Sequence, residues 1–319
     1  MALFALGHAD ASLSFSRLLP EDVAADVTTI LALRVLGSLW NQYRIDCKIN
    51  HGRTLLSIDN GYELRVFTTL IDDLADWPPL VTANNIIRVH SPALTVQENQ
   101  LYESVIDDSR DAVAEVCDQI ARLPADIDPI KRASLLIGRC QKLEETLEFG
   151  VAWALNLAGA NRLDMLGRSK AAAPFPALFS REMLRFDRSK AWRHQALSAA
   201  LTEAAHHLSS VALESIHAVR SFRAVFPDLR RNSRLGTAFV FLAGLGELSP
   251  TPLARLVGCT EPGARKMLKQ LASAGLATAQ SPSPAFELVR SFRLGWPGAT
   301  WLRSYSVDDV PDVDPFDDG

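Results

Sequence analysis

Apolar residues recur at intervals of three and four over most of the first two thirds of the chain, the spacing that lays one face of a helix against a core. After Pro20, the positions Val23, Val27, Ile30, Leu31, Val35 and Leu39 predict a helix. Asp22 and Asp26 stand early in it, where the helix dipole favours anions. Residues 41–60 turn polar, and Asn60-Gly61 signals a turn. Helical periodicity returns from Leu64 to Leu74 and stops at Trp77-Pro78-Pro79, since proline cannot continue a helix. Between Ser91-Pro92 and Pro124 the pattern predicts an extended segment and then a helix with Val105, Val113, Val116 and Ile120 inward. One long helix is expected over Pro129 to Leu157, on Ala133, Leu136, Ile137, Cys140, Leu143 and Leu147. Another is expected over Ser189 to Phe226, ended by Pro227. The small, proline-punctuated residues 159–180 between them read as a linker or a broken turn.

From residue 234 the elements shorten. Leu235, Ala238, Phe239, Phe241, Leu242 and Leu245 predict a compact helix stopped near Gly246, and Ser249-Pro250 opens a second with Leu253, Ala254 and Val257. Gly258-Cys259-Thr260 is a turn, and Glu261-Pro262 begins a third helix with proline where its missing N–H is tolerated. That helix carries Ala264, Met267, Leu268 and Leu271 inward and meets Gly275 as its C-cap. Leu276 to Ala279 and Phe286 to Val289 then read as two strands of a hairpin around Ser281-Pro282-Ser283-Pro284. The order is that of a helix-turn-helix followed by a wing.

The stretch LARLVGCTEPGARKMLKQLASAGLATA resembles the winged helix-turn-helix superfamily. Leu253, Ala254, Gly258, Thr260, Ala264, Leu268, Leu271, Gly275 and Leu276 occupy the positions of that superfamily's usual pattern. The resemblance is confined to the C-terminal part of the chain and implies a third helix in the DNA major groove with the wing on the flanking backbone. The residues themselves point the same way. With the apolar stripe inward, Thr260, Glu261, Arg265, Lys266, Lys269, Gln270 and Ser273 are left on the outer face. Arg and Lys there would reach phosphates or guanine edges, Gln270 an adenine edge, and Thr260 a phosphate near the helix start. Glu261 would lower non-specific affinity or read a cytosine. Arg290 and Arg293, beyond the wing, extend the basic surface.

Composition sharpens this picture through its distribution. The chain has 319 residues, 48% hydrophobic and 22% charged, which excludes disordered and collagen-like classes. Its net charge of −4 is a sum of opposing blocks: −10 over 59–130, +6 over 160–231, +5 over 232–305 and −6 over 306–319. A mildly acidic total therefore does not exclude a nucleic-acid partner. The tail aspartates Asp308, Asp309, Asp312, Asp314, Asp317 and Asp318 would compete for the basic surface as a DNA mimic. Cys47, Cys117, Cys140 and Cys259 form no CxxC pair and read as buried thiols in a reducing compartment, with neither zinc nor a disulfide framework. The N-terminus lacks the basic region of a signal peptide, and no uncharged apolar run reaches the roughly 18 residues of a membrane span. A cytoplasmic location without a membrane partner is expected.

Two constellations have spacings that occur in enzymes. Asp72-Asp73-Leu-Ala-Asp76 and Asp107-Asp108-Ser-Arg-Asp111 are similar to the aspartate motif of isoprenoid synthases, but they lie too close together for that family and no arginine pair follows the first. Acidic, solvated helix faces account for them better. Glu203-Ala-Ala-His206 and Glu214-Ser-Ile-His217 have the ExxH spacing of di-iron bundles, yet both sit on one predicted helix, about three turns apart, and cannot face one metal pair. No phosphate-binding or nucleophile-elbow motif occurs. The expectation is a mainly α protein with a helical domain over 1–230, broken near 159–180, a winged helix-turn-helix over 231–295, and a C-terminal segment, 296–319, with an acidic, disordered tail. Its expected role is non-enzymatic: binding of double-stranded DNA as a homodimeric transcriptional regulator, joined through the 189–226 helix, with no cofactor and no metal. The alternatives are a scaffold or chromosome- or plasmid-maintenance subunit that docks protein through the winged helix, and a metal-dependent helical enzyme.

Overall fold

The apolar segment after Pro20 forms α1 (Glu21–Asp46), the axis of the molecule in the computed structural model. The structure describes residues 19–47, 55, 61–75, 77–90, 95–124, 127, 129–146, 151–161, 178–230, 233–280 and 285–288. Ten further helices follow among them: α2 (Gly61–Leu74), α3 (Pro78–Val89), α4 (Val96–Ala121), α5 (Pro129–Thr146), α6 (Ala152–Asn161), α7 (Arg181–Leu184), α8 (Lys190–Val225), α9 (Arg234–Leu245), α10 (Pro250–Val257) and α11 (Glu261–Ser273). Three short strands complete the described chain: β1 (Glu247–Leu248), β2 (Ala277–Ala279) and β3 (Phe286–Leu288). The protein is mainly helical.

Helix α1 packs against α3, α6, α8 and α9. Its apolar residues are therefore not one stripe: Val27, Ile30, Ala32, Leu33, Leu36 and Trp40 are all almost fully buried around its circumference. By length and composition α1 is apolar enough to cross a membrane, and its most apolar stretch is 67% buried inside the protein. A second layer of α2, α4 and α5 closes over α3, α6 and α8. One continuous apolar cluster runs from Leu19 to Leu288 and takes side chains from both sides of residue 231.

Several boundaries differ from the sequence expectations for physical reasons. Pro78 and Pro79 end the preceding helix and also begin α3, since proline fits the first turn. Helix α4 starts at Val96, where Thr95 and Glu98 form a capping box: the Glu98 amide donates to Thr95 Oγ1 at 3.2 Å and the Thr95 amide to Glu98 Oε2 at 2.6 Å. The single helix expected over Pro129 to Leu157 is two, α5 and α6. Asp46, buried at the end of α1, supplies the start of α6 by accepting the Trp153 amide at 2.5 Å. Of the 159–180 linker, residues 159–161 end α6 and 178–180 lead into α7; 162–177 lie outside the described residues. Leu178 and Phe179 are buried, and the Asn156 side chain clamps the Phe179 backbone with two hydrogen bonds of 2.8 Å. The thiols are less uniform than expected: Cys140 is buried, while Cys47, Cys117 and Cys259 are half-buried, and all four are free.

The C-terminal elements lean on α1. Arg34, 5% exposed, donates from Nε (2.9 Å) and Nη2 (2.5 Å) to the Ala243 carbonyl, near the negative end of the α9 dipole. One residue on, Gly244 packs against Leu33. Strands β1, β3 and β2 form an antiparallel sheet in that order, with Leu248 and Ala279 both opposite Phe286.

Candidate nucleic-acid interface

The turn between α10 and α11 sets the geometry of the outer face. Gly258 closes α10 in the left-handed region at φ 65°, which an L side chain adopts only at a cost of about 1–2 kcal/mol. The Cys259 amide then donates back to the Ala254 carbonyl at 2.9 Å, so the chain reverses within three residues. Thr260 caps α11, its hydroxyl oxygen accepting the Gly263 amide at 3.4 Å. At the other end the Leu276 amide reaches the Leu271 carbonyl at 3.0 Å across Gly275, whose φ is 73°. Both ends of α11 are thus fixed independently of any ligand.

Between these caps, Ala264, Leu268 and Leu271 are fully buried against α9 and α10, with Met267 half-buried beside them. Two outward stripes follow from the helical repeat. Glu261, Arg265 and Lys269 form one, and Lys266, Gln270 and Ser273 the other, all exposed. Arg255 stands exposed on α10. The basic groups of this face reach solvent together.

The individual residues are not equivalent. Both oxygens of Glu261 are engaged: Oε2 accepts the Thr251 hydroxyl at 3.0 Å and Oε1 accepts Arg265 Nη2 at 2.9 Å. Ser273 donates its hydroxyl to the Lys269 carbonyl at 2.8 Å, inside its own helix. Arg290 and Arg293 lie outside the described residues, as does the 281–284 loop at the tip of the hairpin. Thr251 was not singled out from sequence, because its approach to Glu261 depends on the turn at Gly258. His90, which ends α3, is held below the usual histidine range by burial and by the charge of Arg255.

Aspartates of the two acidic strings make contacts between helices. Asp72 accepts Asn84 Nδ2 at 2.6 Å and pairs with Arg88, joining α2 to α3. Asp73 accepts Arg110, which also approaches Asp107 at 3.8 Å, so one arginine bridges the two acidic strings. Asp76 lies outside the described residues. Glu203, His206 and His217 are exposed along α8, and Glu214 is half-buried facing Arg34. Among the described residues no group of three or more His, Cys, Asp or Glu could hold a metal ion.

The chain matches no protein-family model, and no curated protein matches its sequence.

Proposed function

We propose that α9, α10 and α11 with the three-stranded sheet form a winged helix-turn-helix that binds double-stranded DNA, with α11 in the major groove and the β2–β3 hairpin on the flanking backbone. The observation that carries this reading is the division of α11. Its caps and apolar stripe are satisfied within the protein, while Arg265, Lys266, Lys269 and Gln270 project from the opposite side. A helix so presented matches the donors and positive charge that phosphates and base edges accept. The role we assign is transcriptional regulation by a homodimer reading two half-sites.

The dimer contact of this proposal stays on the exposed side of the 189–226 helix. Ser189 caps α8 as the sequence implies, but its apolar residues from Ala196 to Phe222 are spent on the core. Its exposed positions include Glu203, His206, Ser210, His217 and Arg220 with the apolar Leu213 and Val225.

The test is binding of the full chain to random duplex pools at two salt concentrations, beside the Arg265→Ala, Lys266→Ala, Lys269→Ala triple variant. Retention that weakens steeply with salt and collapses in the triple variant is expected. Undiminished retention by the triple variant removes α11 as the interface. Absence of DNA binding favours docking of protein instead.

A further inference from the structure

Resting on the DNA-binding reading, we infer that Arg265 is the guanine-reading residue of α11 and that Glu261, anchored by Thr251, is the residue that positions it. A free arginine side chain on a helix surface samples many rotamers, and immobilising such a side chain costs free energy on binding. Arg265 is restrained before any duplex arrives. One guanidinium nitrogen is held at 2.9 Å by Glu261 Oε1, and the opposite carboxylate oxygen is held at 3.0 Å by the Thr251 hydroxyl on α10. The carboxylate is thus fixed from two helices, and the arginine inherits that fixation.

The arginine remains available outward. Its side chain is 55% exposed, so donors not taken by Glu261 face solvent, and the planar fork they form matches guanine O6 and N7. Lysine cannot reproduce this, being a point charge on a flexible stem. Lys266 and Lys269, on the two outward stripes, supply charge to the phosphates. The apparent misfit of an acidic residue in a basic face is thereby explained: Glu261 gives up overall attraction to DNA in exchange for the orientation of one base contact.

Charge alone and positioning predict opposite results for Glu261→Gln. Removing a negative charge from a DNA-facing helix, with no positioning role, tightens binding to every sequence. Loss of positioning instead lowers discrimination at one base pair. The experiment is selection of the full chain and its variants from a random duplex pool, with melting curves to confirm that each variant is folded. Wild type is expected to select guanine at one position of each half-site. Arg265→Lys removes that preference by about tenfold or more, the range of a bidentate arginine contact, while preferences elsewhere persist. Glu261→Gln relaxes the same position and no other, and Thr251→Ala does so more weakly. In an Arg265→Ala background, Glu261→Gln has no further effect on the selected sequence. A Glu261→Gln protein that keeps the guanine preference, or merely binds all duplexes more tightly, overturns the inference while leaving α11 as a DNA interface. A wild-type chain that retains no duplex in a salt-dependent way overturns the DNA-binding reading and this inference with it.

Discussion

One absent side chain sets how closely α1 and α9 approach. A Cβ at Gly244 would lie 2.6 Å from Leu33 Cδ1 and 2.7 Å from Leu33 Cβ, inside any tolerable contact. Gly244→Ala should therefore destabilise the protein by about 1–3 kcal/mol through overpacking. Gly138, within α5, is the contrast: a Cβ there meets no described atom within 4 Å. Gly138→Ala should stabilise by about 1 kcal/mol on helix propensity. Melting temperatures of the two variants check the pair, and a Gly244→Ala protein as stable as wild type would remove the close approach. Beside the same junction, His207 is pulled down to about 4 by burial and by the charge of Arg34. An unfolded histidine titrates near 6.5, so between roughly pH 6.5 and 4 the unfolded chain binds a proton that the folded one refuses. This group's contribution to stability is complete above about pH 6.5 and is lost as pH falls towards 4. Glu214 works in the other direction, because burial raises its carboxyl while Arg34 partly offsets the rise. The contribution of His207 is isolated by comparing urea unfolding of wild type and His207→Gln. The variant should lose less stability from pH 7 to pH 5, and parallel curves would refute the assignment.

At the scale of elements, local signals were legible and distant ones were not. Helix α8 was expected over Ser189 to Phe226 and occupies Lys190–Val225, because its cap and its proline stop are both adjacent in sequence. The sequence α9, α10, α11 and the β2–β3 hairpin is equally readable, since glycine at 246, 258 and 275 marks each reversal by its positive φ. Strand β1 was missed: two residues carry no periodicity, and its pairing partner β3 lies about forty residues on. The break between α5 and α6 was missed because the group that starts α6 is Asp46, over a hundred residues away. Asp46 also accepts both 3.3 Å contacts from Gln42 and is 2% exposed. Asp46→Ala should cost about 1–3 kcal/mol, the range for orphaning a buried donor. Hydrogen exchange locates the effect: the first amides of α6 should lose protection while α8 keeps its own, and uniform loss would argue against a cap. At the candidate interface the outward residues of α11 followed from the apolar stripe alone. The Thr251, Glu261 and Arg265 chain did not, since it is made by two helices meeting across a turn.

For the whole molecule, charge is organised in blocks, and the block after residue 305 carries −6 within fourteen residues. If that segment competes with DNA for the basic face of α11, removing 306–319 should tighten duplex binding at low salt and change little at high salt, where screening already separates the two. Equal affinity of the full and shortened chains at low salt would dismiss the competition. The junction at Arg34 governs a different property, the dependence of the C-terminal elements on the rest of the chain. Helix α9, whose Leu235, Ala238, Phe239 and Leu242 are buried, packs against the long helix at the start of the chain more extensively than against any other element. A fragment beginning near residue 231 would carry that apolar surface into water, and the remainder would lose the carbonyl that receives Arg34. The C-terminal elements are thus built onto α1 rather than hung from it. The Gly244–Leu33 approach and the Arg34 hydrogen bonds to the Ala243 carbonyl tie the end of α9 directly to the middle of α1.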